Sequence, residues 1–167
     1  MTPTLAAPGI VLRPLALTDA EALHVAMSDE EVQRYRRAAA HADVAQTRAY
    51  IEDTLAKGIG WAITRDGGEA LGRLALRLNG DSGEFGIVIR RAAHGQGLGR
   101  KALMLASDYA FTTLGLARLT ADIDTRNTAS LAVFAHAGFV RTGLRRKART
   151  THIGPCDSAI LTKERPG

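Results

Sequence analysis

The sequence predicts a mixed α/β fold, a mostly antiparallel sheet flanked by helices, in a single domain spanning residues 1–167. Three observations carry this. Glu84 to Lys101 reads as an apolar strand, a turn with glycine at every second position and a helix start, and Arg118 to Ile123 then reads as another strand. A strand–helix–strand passage brings its two strands together in parallel. Asp66-Gly67-Gly68 and Asn79-Gly80-Asp81-Ser82-Gly83 are short turns between strand-like runs, so those neighbours pair antiparallel. Two capped segments with three-and-four apolar spacing precede these turns and supply helices to cover the sheet.

In order, Ile10 to Leu15 is a short opening strand that ends near Pro14. Thr18-Asp19-Ala20-Glu21 matches a capping box, and Leu23, Ala26 and Met27 stripe the helix that follows. Arg34-Tyr35-Arg36-Arg37 is a basic cluster in a connection, read as a solvated loop in preference to a substrate-facing lid. Asp43, with Gln46 three residues on, starts a second helix that places Val44, Thr47, Ile51 and Leu55 on one face and stops at Gly58. Gly60 to Arg65 is a strand. Ala70 to Leu78 is another, with Leu74, Leu76 and Leu78 alternating against Arg73, Ala75 and Arg77.

The helix after the glycine turn carries Leu103, Ala106, Ala110 and Leu114, with Ala102, Leu105 and Tyr109 beside them, and breaks at Gly115. Asn127 caps a short helix bearing Leu131, Phe134 and Ala135 that stops at Gly138. Phe139 to Leu144 and Ser158 to Thr162 are closing strands. The basic run Arg141, Arg145, Arg146, Lys147 and Arg149 between them reads as a solvated hairpin.

A chain of 167 residues can bury a full core. No apolar run approaches the ~20 residues of a membrane span. The N-terminus has no basic segment followed by a long apolar one, so it does not read as a signal peptide. Cys156 is the single cysteine, which excludes an internal disulfide and fits a reducing, cytoplasmic setting. The net charge of +5 suits a polyphosphorylated co-substrate or nucleic acid. Eight dispersed aromatic residues provide no stacking platform, which argues against nucleic acid.

A glycine-rich turn feeding a helix N-terminus presents backbone N–H groups without intrahelical partners. The free amides and the macrodipole together favour an anion. Arg100 and Lys101, cations in the first helical turn, oppose the macrodipole unless a phosphate sits there. Gly95-x-Gly97-x-Gly99 is not the G-x-G-x-x-G dinucleotide fingerprint, and no Gly-Lys-Ser/Thr follows it. Gly80-Asp81-Ser82-Gly83 copies the nucleophile motif of trypsin-like proteases, but a hairpin turn explains it. His24, His41, His94, His136 and His152 lack paired ligand spacing, so no metal is expected.

Leu12-Arg13-Pro14-Leu15 before a capped helix, His94-Gly95-Gln96-Gly97-Leu98-Gly99, and Asn127-Thr128-Ala129-Ser130 followed by Gly138-Phe139 occur here in one order over nearly the whole chain. In this the sequence resembles the GNAT superfamily of acyl-CoA-dependent N-acetyltransferases, most of all the branch of ribosomal-protein N-terminal acetyltransferases. The resemblance implies the GNAT fold, acetyl-CoA as co-substrate, and direct attack of a primary amine on the thioester in a ternary complex. The amine would belong to a protein N-terminus or a small molecule.

By the same resemblance, the edge of Ile87, Val88 and Ile89 would pair with the pantetheine arm, with the Val88 N–H as the foremost oxyanion donor. His94, Gly95, Gln96, Gly97, Leu98, Gly99 and Arg100 would hold the pyrophosphate, and Asn127 and Phe134 would complete the cofactor site. Glu84 and Asp122 are the candidate bases. An α-amine of pKa ~7.7–8.0 needs less help than a lysine-like amine near ~10.4, so a carboxylate acting through water suffices.

Two positions depart from the family pattern. His94 stands where Gln or Arg is usual, and Phe134 stands where many relatives carry an acid-acting tyrosine. Ser130, one helical turn before Phe134, is the candidate replacement hydroxyl. These departures also motivate a second reading, a catalytically weakened acetyl-CoA-binding sensor or scaffold. The basic run motivates a third, a small nucleic-acid-binding module. The acceptor, the acyl-chain selectivity and a homodimer are left open.

Overall fold

The computed structural model describes residues 1–167 in backbone and, Ala148 apart, in side chain. Its elements are β1 (Leu5–Ala7), β2 (Ile10–Pro14), α1 (Ala20–Met27), α2 (Glu30–Gln33), α3 (Val44–Lys57), β3 (Ile59–Thr64), β4 (Gly72–Asn79), β5 (Ser82–Ile89), α4 (Leu98–Thr112), β6 (Arg118–Asp124), α5 (Thr128–His136), β7 (Val140–Thr151) and β8 (Gly154–Glu164). The strands form one eight-stranded sheet in the spatial order β1-β2-β3-β4-β5-β6-β8-β7. Only β5–β6 is parallel, since α4 carries the chain across between them. The mixed, mostly antiparallel sheet is the one expected.

Each face of the sheet closes a core. On one, α4 and α5 pack through Leu98, Ala102, Leu103, Ala106 and Phe134 onto Ile63, Leu74, Leu76, Phe85, Leu119 and Ile123. On the other, α1 and α3 pack through Leu23, Ala26, Met27 and Ile51 onto Ala62, Ala70 and Val88. The period-two pleat assigns side chains to these layers. Phe85, Ile87 and Ile89 point to the α4 layer, while Glu84, Gly86 and Val88 point to the α1–α3 side.

Some boundaries differ from expectation. Thr18 and Glu21 form no capping box. Helix α1 begins at Ala20, after a 3-10 turn whose entry is fixed by Asp19, which accepts the Ala16 N–H at 2.9 Å. Arg13 grips the same carboxylate through two bonds of 3.0 and 2.7 Å, so the charge pair chose the capping residue. Asp43 does cap α3, accepting from the Gln46 N–H at 3.0 Å. Helix α3 stops at Gly58, where the backbone turns extended (φ 172°), and only glycine fits there because a Cβ would collide with the Leu76 carbonyl. Strand β1 and the single turn α2 were not anticipated; each is too short for periodicity to register.

The basic run keeps its reading as a solvated hairpin, with Arg141, Arg145, Arg146 and Lys147 exposed, but it is a regular arm: it lies within the twelve-residue strand β7, paired antiparallel with β8. Register shifts between Arg141 and Gly143 and between Arg145 and Arg149 bend it. Lys147 adopts φ 47° at that bend, its N–H held by Asp157 at 2.8 Å.

Candidate active site

Strands β5 and β6 begin as a pair and then part. Their register covers only Ser82–Arg118, Gly83–Leu119 and Glu84–Thr120. Beyond it β5 runs on to Ile89 and β6 to Asp124, leaving a wedge roughly 13–16 Å long at ~3.3 Å per residue. The wedge is lined by backbone edges with no strand partner, a template for an extended chain.

The β4 register decides which backbone groups face the wedge. A Cβ on Gly72 would collide with the Val88 carbonyl, so Val88, opposite Arg73, turns its peptide groups toward β4. The expected Val88 oxyanion donor is therefore corrected. Alternation gives the wedge the N–H and C=O groups of Phe85, Ile87 and Ile89. Arg36 donates to the Ile87 carbonyl at 3.1 Å, as that orientation requires.

At the wide end of the wedge the chain makes the glycine turn. Gly95 and Gly97 adopt φ 73° and 78°, left-handed conformations that glycine takes without a Cβ penalty. Gly97 caps α4 with no side-chain acceptor, and the first helical turn contains no acid. The first intrahelical bond is Lys101 N–H to Gly97 C=O at 3.0 Å, leaving the Leu98, Gly99 and Arg100 amides to face outward. A Cβ at Gly95 or Gly97 would meet nothing within 4 Å, so the cradle is open. A pyrophosphate fits this donor set.

The third glycine of the motif does a different job. A Cβ on Gly99 would stand 3.0 Å from the Val133 side chain, so its absence lets α5 approach α4 closely.

Side chains around the turn depart from expectation. His94 donates its Nε2–H to the Ile89 carbonyl at 2.6 Å, a bond that ties down the end of β5 instead of reaching toward an anion. Gln96 is held by Arg65, a cation from the β3–β4 turn that the sequence reading overlooked. The Lys101 ammonium turns away to the Pro8 carbonyl at 3.2 Å, whereas the Arg100 side chain stays exposed beside the turn.

On the α1–α3 side, Glu84 and Asp122 flank the point where the wedge begins. Glu84 is exposed. Asp122 is half-buried, with Oδ1 out of solvent and without a hydrogen-bond partner, while Oδ2 lies 3.9 Å from the Arg145 guanidinium. Arg149 donates to the Asp122 carbonyl at 3.2 Å. The two strand edges at the wedge are thus each capped by an arginine, Arg36 on β5 and Arg149 on β6. A cavity of about 580 Å³ opens beside Glu84, lined among others by Arg77, Asp81, Arg118, Thr120, Arg145 and Glu164.

The α2–α3 connection and the β7–β8 turn meet over this side. The His152 N–H bonds the Arg37 carbonyl at 3.0 Å, and its Nε2 bonds the Gln33 carbonyl at 2.9 Å. Arg36 is therefore wedge-facing, which reverses its reading as part of a solvated loop. Arg36 also donates to the Tyr50 hydroxyl at 2.8 Å, and the Tyr50 ring covers the Arg73 guanidinium at 4.5 Å. Arg73 is 8% exposed and has neutral hydrogen-bond partners only, Thr54 Oγ1 at 3.2 Å and the Gly86 carbonyl at 3.3 Å. Burial without a carboxylate pushes its pKa down to about 10. His41 is likewise lowered, first by burial and then by His24 and Arg36.

Helix α5 lies on the other side of the sheet. Asn127 caps it, accepting the Ser130 N–H at 3.2 Å. Ser130 is half-buried. Phe134 is 2% exposed and packs edge-on against Phe139 with ring centroids 5.1 Å apart, so it is a core residue and not the cofactor contact expected. Among the described residues, no helix is long and apolar enough to cross a membrane, and no three His, Cys, Asp or Glu side chains cluster as a metal site.

The acetyltransferase (GNAT) domain model matches residues 10–140, most of the chain. The chain belongs to the GNAT acetyltransferase family. It is 29% identical to N-acetyltransferase p20 of Bacillus licheniformis over 171 aligned residues, covering 95% of this chain and 96% of that one. A GNAT-family acetyltransferase structure from Bacillus anthracis superposes with a TM-score of 0.88 at 21% identity, covering 98% and 99% of the two chains. RimJ of Mycobacterium smegmatis, in complex with CoA-disulfide, superposes at 0.83 with 24% identity, covering 97% of this chain and 86% of RimJ. These two likenesses show the fold. Within this GNAT fold, the parted strands and the glycine turn coincide with the motifs read from sequence. Arg36, Tyr50, Arg73 and Arg149 were missed because no local pattern marks them.

Proposed function

We propose that this GNAT protein transfers an acetyl group from acetyl-CoA to a primary amine by direct attack in a ternary complex. The observation that carries the reading is the parting of β5 and β6 beside an uncapped helix N-terminus. One feature offers a strand edge for the pantetheine arm, the other a set of amides for the pyrophosphate. Acetyl-CoA supplies the activated thioester. The outward amides from Gly95 to Arg100 bind the pyrophosphate, with Arg100 and Arg65 adding charge. The Ile87 and Ile89 N–H groups take the oxyanion role expected of Val88.

Acid and base come from opposite layers. Glu84 and Asp122 lie on the α1–α3 side, where an amine approaches and loses its proton, directly or through water. Ser130, in the first turn of α5, is the donor to the departing thiolate in place of the absent tyrosine in this reading. A thiol of pKa ~8.5 leaves readily, so this donation is the smaller contribution.

The test is acetyl-CoA-dependent thiol release against an amine panel, with isothermal calorimetry of acetyl-CoA binding. Glu84→Gln and Asp122→Asn are expected to keep cofactor affinity. The variant lacking the base loses about 10²-fold or more in kcat together with the acidic limb of the pH profile. Tight acetyl-CoA binding with no turnover of any amine would instead favour the sensor reading.

A further inference from the structure

Two neighbouring strands that stop pairing leave facing rows of N–H and C=O groups, which favour closing again into a ladder. On β6 the odd-numbered residues bond to β8. The Arg165 N–H to Ala117 C=O bond at 2.9 Å and the Thr125 N–H to Asp157 C=O bond at 3.1 Å fix that parity at both ends. Asp122 and Asp124 therefore turn their peptide groups into the wedge, as Ile87 and Ile89 do from β5.

All four of these carbonyls already have donors from elsewhere in the chain. Ile87 C=O accepts from Arg36 at 3.1 Å and Ile89 C=O from His94 at 2.6 Å. Asp122 C=O accepts from Arg149 at 3.2 Å and Asp124 C=O from the Asn127 N–H at 2.9 Å. The N–H groups of Ile87, Asp122 and Asp124 have no partner among the described residues. Acceptors are capped and donors are free.

We propose that Arg36 and Arg149 are positioning residues that hold β5 and β6 apart, so that the wedge stands open before the cofactor arm arrives. This rests on the reading of the wedge as the acetyl-CoA site.

The register shows what the two arginines block. Continued past Glu84–Thr120, the ladder would join Asp122 N–H to Phe85 C=O, then Ile87 N–H to Asp122 C=O, then Asp124 N–H to Ile87 C=O. The last two acceptors are the ones that Arg149 and Arg36 hold. Closure would exchange these charge-assisted bonds for neutral ones roughly half as strong, and would leave both guanidinium groups without them. Neither arginine can follow a closing strand. Arg36 is also fixed to the Tyr50 hydroxyl of α3 at 2.8 Å. The segments carrying the two are bonded together, His152 reaching the carbonyls of Arg37 and Gln33. Arg149 makes its bond while its Nε, closed to solvent, lacks an acceptor, so satisfying the guanidinium is not what places it there. What this brace leaves in the wedge is a row of donors, complementary to the carbonyl oxygens of the pantetheine arm and the thioester.

Residue-resolved amide hydrogen exchange without cofactor tests this on the parent and on Arg36→Met and Arg149→Met, singly and combined. Arg36→Lys serves as the variant that keeps a donor, and acetyl-CoA kinetics are measured alongside. Arg149→Met should slow exchange of the Ile87 amide about ten-fold or more, and Arg36→Met that of the Asp124 amide, because each freed carbonyl lets one rung form. The Ile89 amide, facing a carbonyl still capped by Asn127, should stay within about two-fold of the parent, and Arg36→Lys should leave Asp124 near the parent rate. In the combined variant the KM for acetyl-CoA should rise about ten-fold with kcat within about three-fold. A merely structural role would speed exchange at these amides, so parent-like or faster exchange overturns the proposal. If the combined variant does not fold, each single variant decides through its own amide. Slower exchange with acetyl-CoA binding undiminished keeps the brace and denies the wedge to the cofactor, which removes the acetyl-transfer reading instead.

Discussion

Arg73→Met is expected to leave the stability of the fold almost unchanged, although it removes a buried charged side chain. The guanidinium has two long hydrogen bonds and an aromatic face but no carboxylate. Its pKa near 10 measures the cost of holding the charged form there. At about 1.4 kcal/mol per decade that cost is roughly 3 kcal/mol. Against it stand about 1 kcal/mol for each long bond and about 1–2 kcal/mol for the cation–π contact. The two sides cancel to within about 1 kcal/mol.

Methionine fills similar apolar volume and strands neither partner. Thr54 Oγ1 also donates to the Tyr50 carbonyl at 2.9 Å, and Gly86 retains its β4 partner Ala75. Urea unfolding at pH 7 is the assay, and the midpoint of the variant should lie close to that of the parent. A second reading comes from pH. The unfolded chain holds its proton to higher pH than the native one does. The parent should therefore gain stability relative to Arg73→Met as pH rises through about 10. A loss of roughly 3 kcal/mol or more at pH 7 would refute the reasoning, because it would mean the polar contacts outweigh burial of the charge.

Other expectations concern the turn, the caps and acid. Gly97→Ala should fold at a cost of about 1–2 kcal/mol, since its φ of 78° is strained for alanine while the added Cβ meets nothing; calorimetry should then show about ten-fold weaker acetyl-CoA binding. Asn127→Ala removes the cap of α5 and should cost about 1 kcal/mol in thermal or urea unfolding. His41, bonded to Thr47 at 2.8 Å and lowered by burial, contributes stability that is complete above about pH 6.5 and declines as pH falls through its depressed native value. His41→Asn should therefore show a smaller fall in Tm between pH 7 and 5 than the parent. Asp124, lowered chiefly by its bonds to Arg126, acts further down the scale and leaves that window to the histidine.

Much of the scaffold was legible because its signals are local. The His94–Gly99 turn encodes left-handed backbone at Gly95 and Gly97, and the alternation of Leu74, Leu76 and Leu78 encodes a strand whatever lies above it. Arg73 and Arg36 were misjudged by the same logic. Alternation assigns Arg73 to a solvent face, but α3 covers that face and turns it into a second core. Arg36 belongs to a run of four residues that looks solvated until the β7–β8 turn closes over it. Phe134 was taken for a cofactor contact from its place in a motif, and Phe139 draws it into the core instead.

Residue spacing alone, then, determined the longer elements, their order, the parallel crossover and the glycine turn, because each depends on neighbours within a few positions. Only the tertiary structure decided that β5 and β6 part after Glu84, that Ile87 and not Val88 presents its peptide to the opening, and that Asp122, Arg145 and Arg149 converge beside it. Strand parity, and the meeting of chain segments as far apart as Gln33 and His152, are set by packing of the whole sheet.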